Sequence, residues 1–401
     1  MGDHPEDSSA PSSISEESGD GAVQFDKHNP KNWSMRKNVF STSATVPATP
    51  ILMLRFSISR TVATLPLTLY ALGLAFGPLF TAPLSEMLGR RPIYITSVAL
   101  LLAFTGGASA AQNLATLLAC RFLAGFFGSA GVAIGAGTLA DVWDGEPAQG
   151  PASILFILGP FLGPTLAPIA SAYTLHDRDN DWRWTQWLVL LIGAPAMVGV
   201  VLMSETSVVK PSSEKEAQQR VSLGSTLPTL RTAIARPTRM LFTEIIVASL
   251  TLYAAFAYAM IFSYFSSASY VLPRYYGFNI REVGLSFIAV IIGYLLATVL
   301  FAVSDKTLYA RAAAEARAQG TQPSPKHRLY SAMVGSLLLP VGLFWYAWEA
   351  HAGGHWAALV ASGIPFGFGA FSLFVSAIAY LVEVYKAGAA ASGEYPFPRQ
   401  S

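Results

Sequence analysis

Nine stretches of the chain run without Asp, Glu, Lys or Arg, apart from a single arginine, Arg121: 62–85, 92–111, 114–140, 151–175, 184–203, 245–273, 283–304, 329–348 and 356–382. A hydrocarbon core about 30 Å thick calls for about 20 apolar residues per helix, and each stretch meets that length. A soluble fold can bury one or two helices this apolar; nine in series have no soluble explanation. Backbone groups in lipid must be bonded within their own segment, so each stretch is expected to be an α-helix. The one long polar interval, 206–240, carries Lys210, Glu214, Lys215, Glu216, Arg220, Arg231, Arg236 and Arg239. It divides the chain into a bundle over 38–205 and a second over 241–385, with tails at 1–37 and 386–401. A shorter polar loop, 305–328, interrupts the second bundle.

Residues 38–54 fit this pattern least well. They are only moderately apolar, with Ser41, Thr42, Ser43, Thr45 and Thr49 beside Pro47 and Pro50. At about 1.5 Å per residue the segment falls short of the hydrocarbon thickness, and its prolines weaken a helix further. A short, distorted first crossing is one expectation; an interfacial segment with the N-terminus outside is the other.

Composition agrees with a membrane protein. Only 12% of the 401 residues are charged, about half the share usual in soluble chains. The net charge of +2 gives no polybasic signal for nucleic acid. The single cysteine, Cys120, excludes a disulfide framework. Residues 1–30 are acidic and Ser-rich, which reads as a disordered tail and not as a signal peptide. Lys and Arg set the orientation. With the N-terminus in the cytoplasm, basic residues favour the inner side by roughly three to one, leaving Arg55, Arg60, Arg178, Arg183, Arg274 and Arg281 outside.

Three local patterns carry candidate chemistry. Glu86-Met87-Leu88-Gly89-Arg90-Arg91 links two apolar stretches, with Gly89 suited to a tight turn and the arginines kept in water to meet headgroups or acidic partners. Arg121 lies within an apolar run; its guanidinium stays charged and must face the protein interior. Gly159, Gly163 and Pro164 sit in the fourth stretch, where Gly and Pro bend a helix and leave a smooth face for a neighbour. Each has a plainer reading as well: a positive-inside clamp, a snorkelling arginine, a kinked packing helix.

Taken together, Glu86 to Arg91, Arg121 and Gly159-Gly163-Pro164 resemble the signature elements of the major facilitator superfamily. Asn29-Pro30-Lys31-Asn32-Trp33-Ser34, Ser204-Glu205-Thr206 and Trp182-Arg183-Trp184 narrow the resemblance to the fungal drug–proton antiporters of the twelve-helix group. That group includes polyamine, multidrug and secondary-metabolite exporters, and the resemblance covers about residues 29–385. It implies an all-α polytopic membrane protein with two helical bundles. It also implies proton coupling through Arg121 and an exporter's helix motif at Gly159, Gly163 and Pro164. Ala167 and Pro168 depart from the two final glycines of that motif, and Glu86 stands where the family usually has Asp. Relatives continue into two further helices after Tyr385, whereas this chain runs on through an Ala-, Gly- and Pro-rich end. The second bundle is therefore expected to lack its last two helices, and the first helix to be degenerate.

The resemblance implies a small-molecule substrate, protons and membrane lipid as partners, no cofactor, and a multi-pass location, the plasma membrane by family habit. Tyr253, Phe256, Met260 and Tyr264 recur at helical spacing, with Tyr70 and Tyr294 at similar depth in other helices. Such a lining would suit amphipathic aromatic or cationic molecules, or serve ordinary packing. Glu244, at the start of the sixth stretch, could bind protons or a cationic substrate, or cap its helix. No catalytic set appears: there is no His-Glu helix pair, nucleophile elbow or phosphate-binding Gly-Lys loop. Proton-driven export is the reading preferred over import or a non-transporting remnant.

Overall fold

The computed structural model describes residues 41–135, 149–202, 242–319, 324–352 and 354–392, together with Ala235 and Arg239. The expected N-terminal tail and nearly all of 206–240 lie outside the described residues. The described residues form helices and turns, without a strand. Nine helices among them are long and apolar enough to cross a membrane. The protein is an integral, multi-pass membrane protein.

The first bundle contains α1 (Thr49–Phe56), α2 (Arg60–Ala63), α3 (Leu65–Phe76), α4 (Pro78–Leu88), α5 (Arg90–Ser109), α6 (Leu114–Gly128), α7 (Gln149–Asp177) and α8 (Arg183–Leu202). The second contains α9 (Ile245–Tyr276), α10 (Ile280–Ser286), α11 (Ile288–Ser304), α12 (Ala310–Ala318), α13 (Tyr330–Ala352), α14 (Trp356–Ala361) and α15 (Gly363–Ser392). Several spans are made of two collinear helices: α3 and α4 meet at Gly77, α10 and α11 at Phe287. The last helix runs through Ser392, beyond the Tyr385 boundary expected from the sequence.

The first segment is a distorted element, and its first eight described residues are buried. Residues 41–45 form turns, Val46–Ala48 a 3-10 turn and Thr49–Phe56 a short helix. Every residue from Ser41 to Ala48 is buried. Pro47 has no N–H to offer the Ser43 carbonyl, which instead accepts from Val46 N at 3.0 Å. Irregular backbone at membrane depth persists only where protein covers it, and here α7 does: Ala44 packs with Ala167 and Val189, and Ala48 and Leu52 pack with Leu175 and Trp182.

The two bundles repeat one another. A Cβ on Gly73 would lie 2.2 Å from Phe122 O and 2.7 Å from Phe126 N; one on Gly293 would lie 2.3 Å from Ile364 O and 2.6 Å from Phe368 N. The reverse contacts also match, since Gly125 meets the Tyr70 carbonyl and Gly367 the Val290 carbonyl. Backbone thus touches backbone between α3 and α6, and again between α11 and α15. Only glycine permits this approach. The helices concerned begin alike: Ser59 caps α2 and Asn279 caps α10, the latter through a capping box with Glu282. The interval from Ser59 to Asn279 equals that from Gly73 to Gly293.

Between the bundles lies one large apolar core. Phe161 of α7 stands at its centre, within 5.0–5.4 Å, centroid to centroid, of Tyr258, Tyr294, Phe371 and Phe374 from the second bundle. Three of these contacts are edge-on and one is tilted, geometries that aromatic quadrupoles favour over face-to-face stacking.

Candidate functional site

Arg121 projects from the middle of α6 and is fully buried. Its Nη2 donates to Ser41 O at 2.8 Å and Thr42 O at 3.2 Å. Nη1 donates to Ser41 Oγ and to Gln186 Oε1, each at 3.2 Å, and Nε to Pro66 O at 3.3 Å. The guanidinium carbon stands 4.5 Å from the Tyr70 ring centroid. Among the described residues it makes no ion pair. The charge is thus held by carbonyl dipoles, one amide, one hydroxyl and an aromatic face. The carbonyls of Ser41 and Thr42 belong to the distorted first segment, so the arginine also bonds backbone that a regular helix would have bonded itself. Gln186 is oriented in turn by its own Nε2 bond to Thr185 Oγ1 at 3.1 Å.

Gly159, Gly163 and Pro164 are buried on α7. The helix contains Pro160, Pro164 and Pro168. Because a proline lacks the N–H that would bond four residues back, Pro168 frees the Pro164 carbonyl. The Ser43 hydroxyl donates to that carbonyl. Pro168, one of the two residues that depart from the antiporter pattern, therefore creates the acceptor that ties the first segment to α7.

In the Gly-Arg-Arg loop, Gly89 has φ of 91°, a region L side chains rarely adopt. Arg90 Nη1 donates to Ile134 O at 3.3 Å and Arg91 Nη2 to Val201 O at 3.0 Å. Val201 lies in the last turn of α8, where carbonyls lack intrahelical partners. The loop's arginines thus reach helix backbone, partners the sequence did not point to. The Glu86 side chain lies outside the described residues.

Of the candidate lining residues, Tyr264 and Tyr294 are buried in the central core. Tyr264 stacks on Phe366 at 4.7 Å and packs against Tyr346 at 4.8 Å. The Tyr294 hydroxyl is buried beside the Thr165 side chain, whose own hydroxyl donates to Phe161 O at 2.8 Å. Tyr253 and Met260 are half-buried against the same core. Phe256 is exposed. Tyr70 belongs to a separate cluster with Leu101 and Ala124, beneath Arg121. Glu244 is exposed at the N-cap of α9, and its side chain makes no capping hydrogen bond. Sequence reasoning missed Phe161, Ser41 and Gln186. Phe161 sits inside the Gly-Pro motif itself, and Gln186 is the one amide within the apolar stretch 184–203. No group of His, Cys, Asp or Glu among the described residues could hold a metal ion.

The family model of the Major Facilitator Superfamily matches residues 38–393. A polyamine transporter of Saccharomyces cerevisiae, Polyamine transporter 4, is 31% identical over 90% of this chain and 61% of its own length. The MFS-type transporter phm3 of Pyrenochaetopsis sp is 34% identical, with 93% and 81% covered. The efflux pump FUB11 of Gibberella moniliformis is 32% identical, with 86% and 60% covered. The chain thus spans about three-fifths of the yeast and Gibberella relatives. Among solved structures, the human organic anion transporter MFSD10 superposes with a TM-score of 0.55 at 17% identity, covering 87% of this chain and 83% of that one. The Escherichia coli xylose transporter XylE, in a partially occluded inward-open conformation, gives 0.57 at 13% identity over 87% and 82%. With the family model matched along most of its length, and the same helical fold in solved transporters, this chain belongs to the Major Facilitator Superfamily.

Proposed function

We propose that this protein is a proton-coupled exporter of small, amphipathic organic molecules, working by alternating access with its N-terminus in the cytoplasm. The observation that carries the reading is Arg121: a permanent charge, fully buried, and balanced among the described residues by neutral groups. An unpaired buried charge is costly and is kept where it serves function. Its fixed field disfavours a second positive charge nearby. A proton taken up from one side is therefore released more readily once the bundles move and bring its carrier under that field. Arginine cannot itself carry the proton. Glu244, exposed at the start of α9, is the carboxylate proposed for that task, while Glu86 belongs with Gly89, Arg90 and Arg91 to the cytoplasmic loop motif.

The substrate would meet the aromatic core around Phe161, Tyr258, Tyr294 and Phe374 when the bundles part, with Tyr264 deeper and Tyr253 and Met260 at the flank. Aromatic faces suit flat or cationic molecules, and the Tyr294 hydroxyl supplies one polar contact. The name of the Gibberella relative, an efflux pump, supports export, that of the yeast polyamine transporter supports a cationic small molecule, and the plasma membrane is the proposed location. The test is ethidium efflux from cells expressing the protein. Parent cells should lose dye faster than vector controls, and Phe161→Ala should cut the rate roughly tenfold at equal membrane abundance. Equal rates for Phe161→Ala and the parent would remove the aromatic core from the substrate path. Cells no faster than the vector control would contradict export of this substrate class.

A further inference from the structure

Two arginines at one end of the molecule cross from one bundle to the other, and they do so from the same turn of the repeat, one position apart. Arg60 is the first residue of α2, directly after the Ser59 cap. Its Nη2 donates to Ser266 O at 2.9 Å, and its guanidinium stands 4.1 Å from the Tyr270 ring centroid; both partners lie on α9 of the second bundle. Arg281 is the second residue of α10, after the Asn279 cap. It bonds the His176 imidazole and stands 6.0 Å from the Tyr173 ring, and both of those lie on α7 of the first bundle. Each bundle thus reaches out from the start of its second span and grips a helix of the other.

The chemistry of the grip is distinctive. Neither arginine makes an ion pair among the described residues; the partners are a backbone carbonyl, an imidazole and two tyrosine rings. A cation over a ring at a partly exposed site shifts an equilibrium by about two- to fivefold, and one hydrogen bond to a carbonyl by about as much. Such contacts hold two surfaces together without locking them. Another inter-bundle contact on this side is apolar: Gly284 of α10 lies where a Cβ would stand 2.8 Å from Ala172 of α7. It is a smooth face on which the helices can slide or separate. Rocking of one bundle by a few ångströms would break both arginine contacts at once, since both are short-range.

We propose that Arg60 and Arg281 form a two-point clasp that closes the outer mouth between the bundles and releases in each transport cycle. The word "outer" and the cycle rest on the alternating-access reading above; the clasp itself rests on contacts between named residues. It favours the outward-closed state by a modest amount, so loss of either arginine shifts the population and loss of both shifts it further.

The experiment measures access and needs no transported substrate. Ala268 of α9 is buried in the inter-bundle core beside the Arg60 grip. With Cys120, the only native cysteine, replaced by Ser, Ala268→Cys provides a thiol that a membrane-impermeant maleimide can reach only through the outer mouth. In sealed vesicles with the outer face exposed, Arg60→Gln with Arg281→Gln should raise the labelling rate roughly tenfold. Tyr270→Leu with Tyr173→Leu, which leaves both arginines in place, should move it the same way. Arg178→Gln is the control: this arginine lies at the same end, 4.1 Å from Trp184 within its own bundle, and should leave the rate unchanged. Labelling of both double variants at the parent rate overturns the clasp. So does equal acceleration by Arg178→Gln, which would mean that any lost charge at this end loosens the protein. A transport failure with a positive labelling result would count against the proposed export alone.

Discussion

Arg121 is the residue on which most of the local structure converges. Its five hydrogen bonds link α6 to the distorted first segment, to α3 through Pro66 and to α8 through Gln186. Arg121→Lys keeps the charge but loses the planar fork, so an ammonium cannot serve the Ser41 and Thr42 carbonyls and Gln186 together. Each buried acceptor left unsatisfied costs about 1–3 kcal/mol. Arg121→Lys is therefore expected to lower the melting temperature of the purified protein and to abolish dye efflux. Gln186→Leu removes one acceptor and should cause a smaller drop; a melting temperature equal to the parent's for both would show that these bonds carry little. The arginine was legible in the sequence because one charge stands out in an apolar run. Its partners were not. Ser41 and Gln186 are unremarkable polar residues far apart in sequence, brought together only by the packing of three helices.

At the scale of the element, proline and glycine decide the geometry. The sequence showed a first crossing too short and too proline-rich to be a regular helix, but not what would satisfy its backbone. The structure supplies Arg121 on one side and, on the other, the bond from Ser43 to the carbonyl freed by Pro168. Ser43→Ala leaves that carbonyl buried and unpaired, with an expected loss of about 1–3 kcal/mol. Restoring the N–H by Pro168→Ala in the same chain should recover most of it. Thermal unfolding of the single and double variants measures the coupling, and simple additivity would contradict it. The glycine pairs make a parallel prediction. Gly73→Ala places a Cβ 2.2 Å from backbone, whereas Gly199→Ala meets nothing within 4 Å. The first should cost about 1–3 kcal/mol. The second should be neutral or stabilising by less than about 1 kcal/mol. Similar losses at both would mean that helix propensity, and not the close approach, sets the outcome. The repeat was within reach of the sequence, since equal intervals separate Ser59 from Asn279 and Gly73 from Gly293. Its meaning needed the contacts, because glycines are frequent throughout these helices.

At the scale of the molecule, the nine apolar helices among the described residues and an irregular first segment form two similar bundles that meet at the Phe161 core. The membrane class was legible because lipid imposes a length and an absence of charge on every span. The central core was less so: Phe161, Tyr258, Phe371 and Phe374 come from three helices, and helical spacing along any one of them gave no sign of their meeting. The most direct test of the account is transport by the purified protein in proteoliposomes, with an imposed pH gradient and pyranine as the pH reporter. The account predicts that ethidium moves against its gradient while protons move the opposite way, that both fluxes stop when an ionophore collapses the pH gradient, and that Arg121→Lys loses both. Dye movement that is indifferent to the pH gradient, or undiminished in Arg121→Lys, would contradict it.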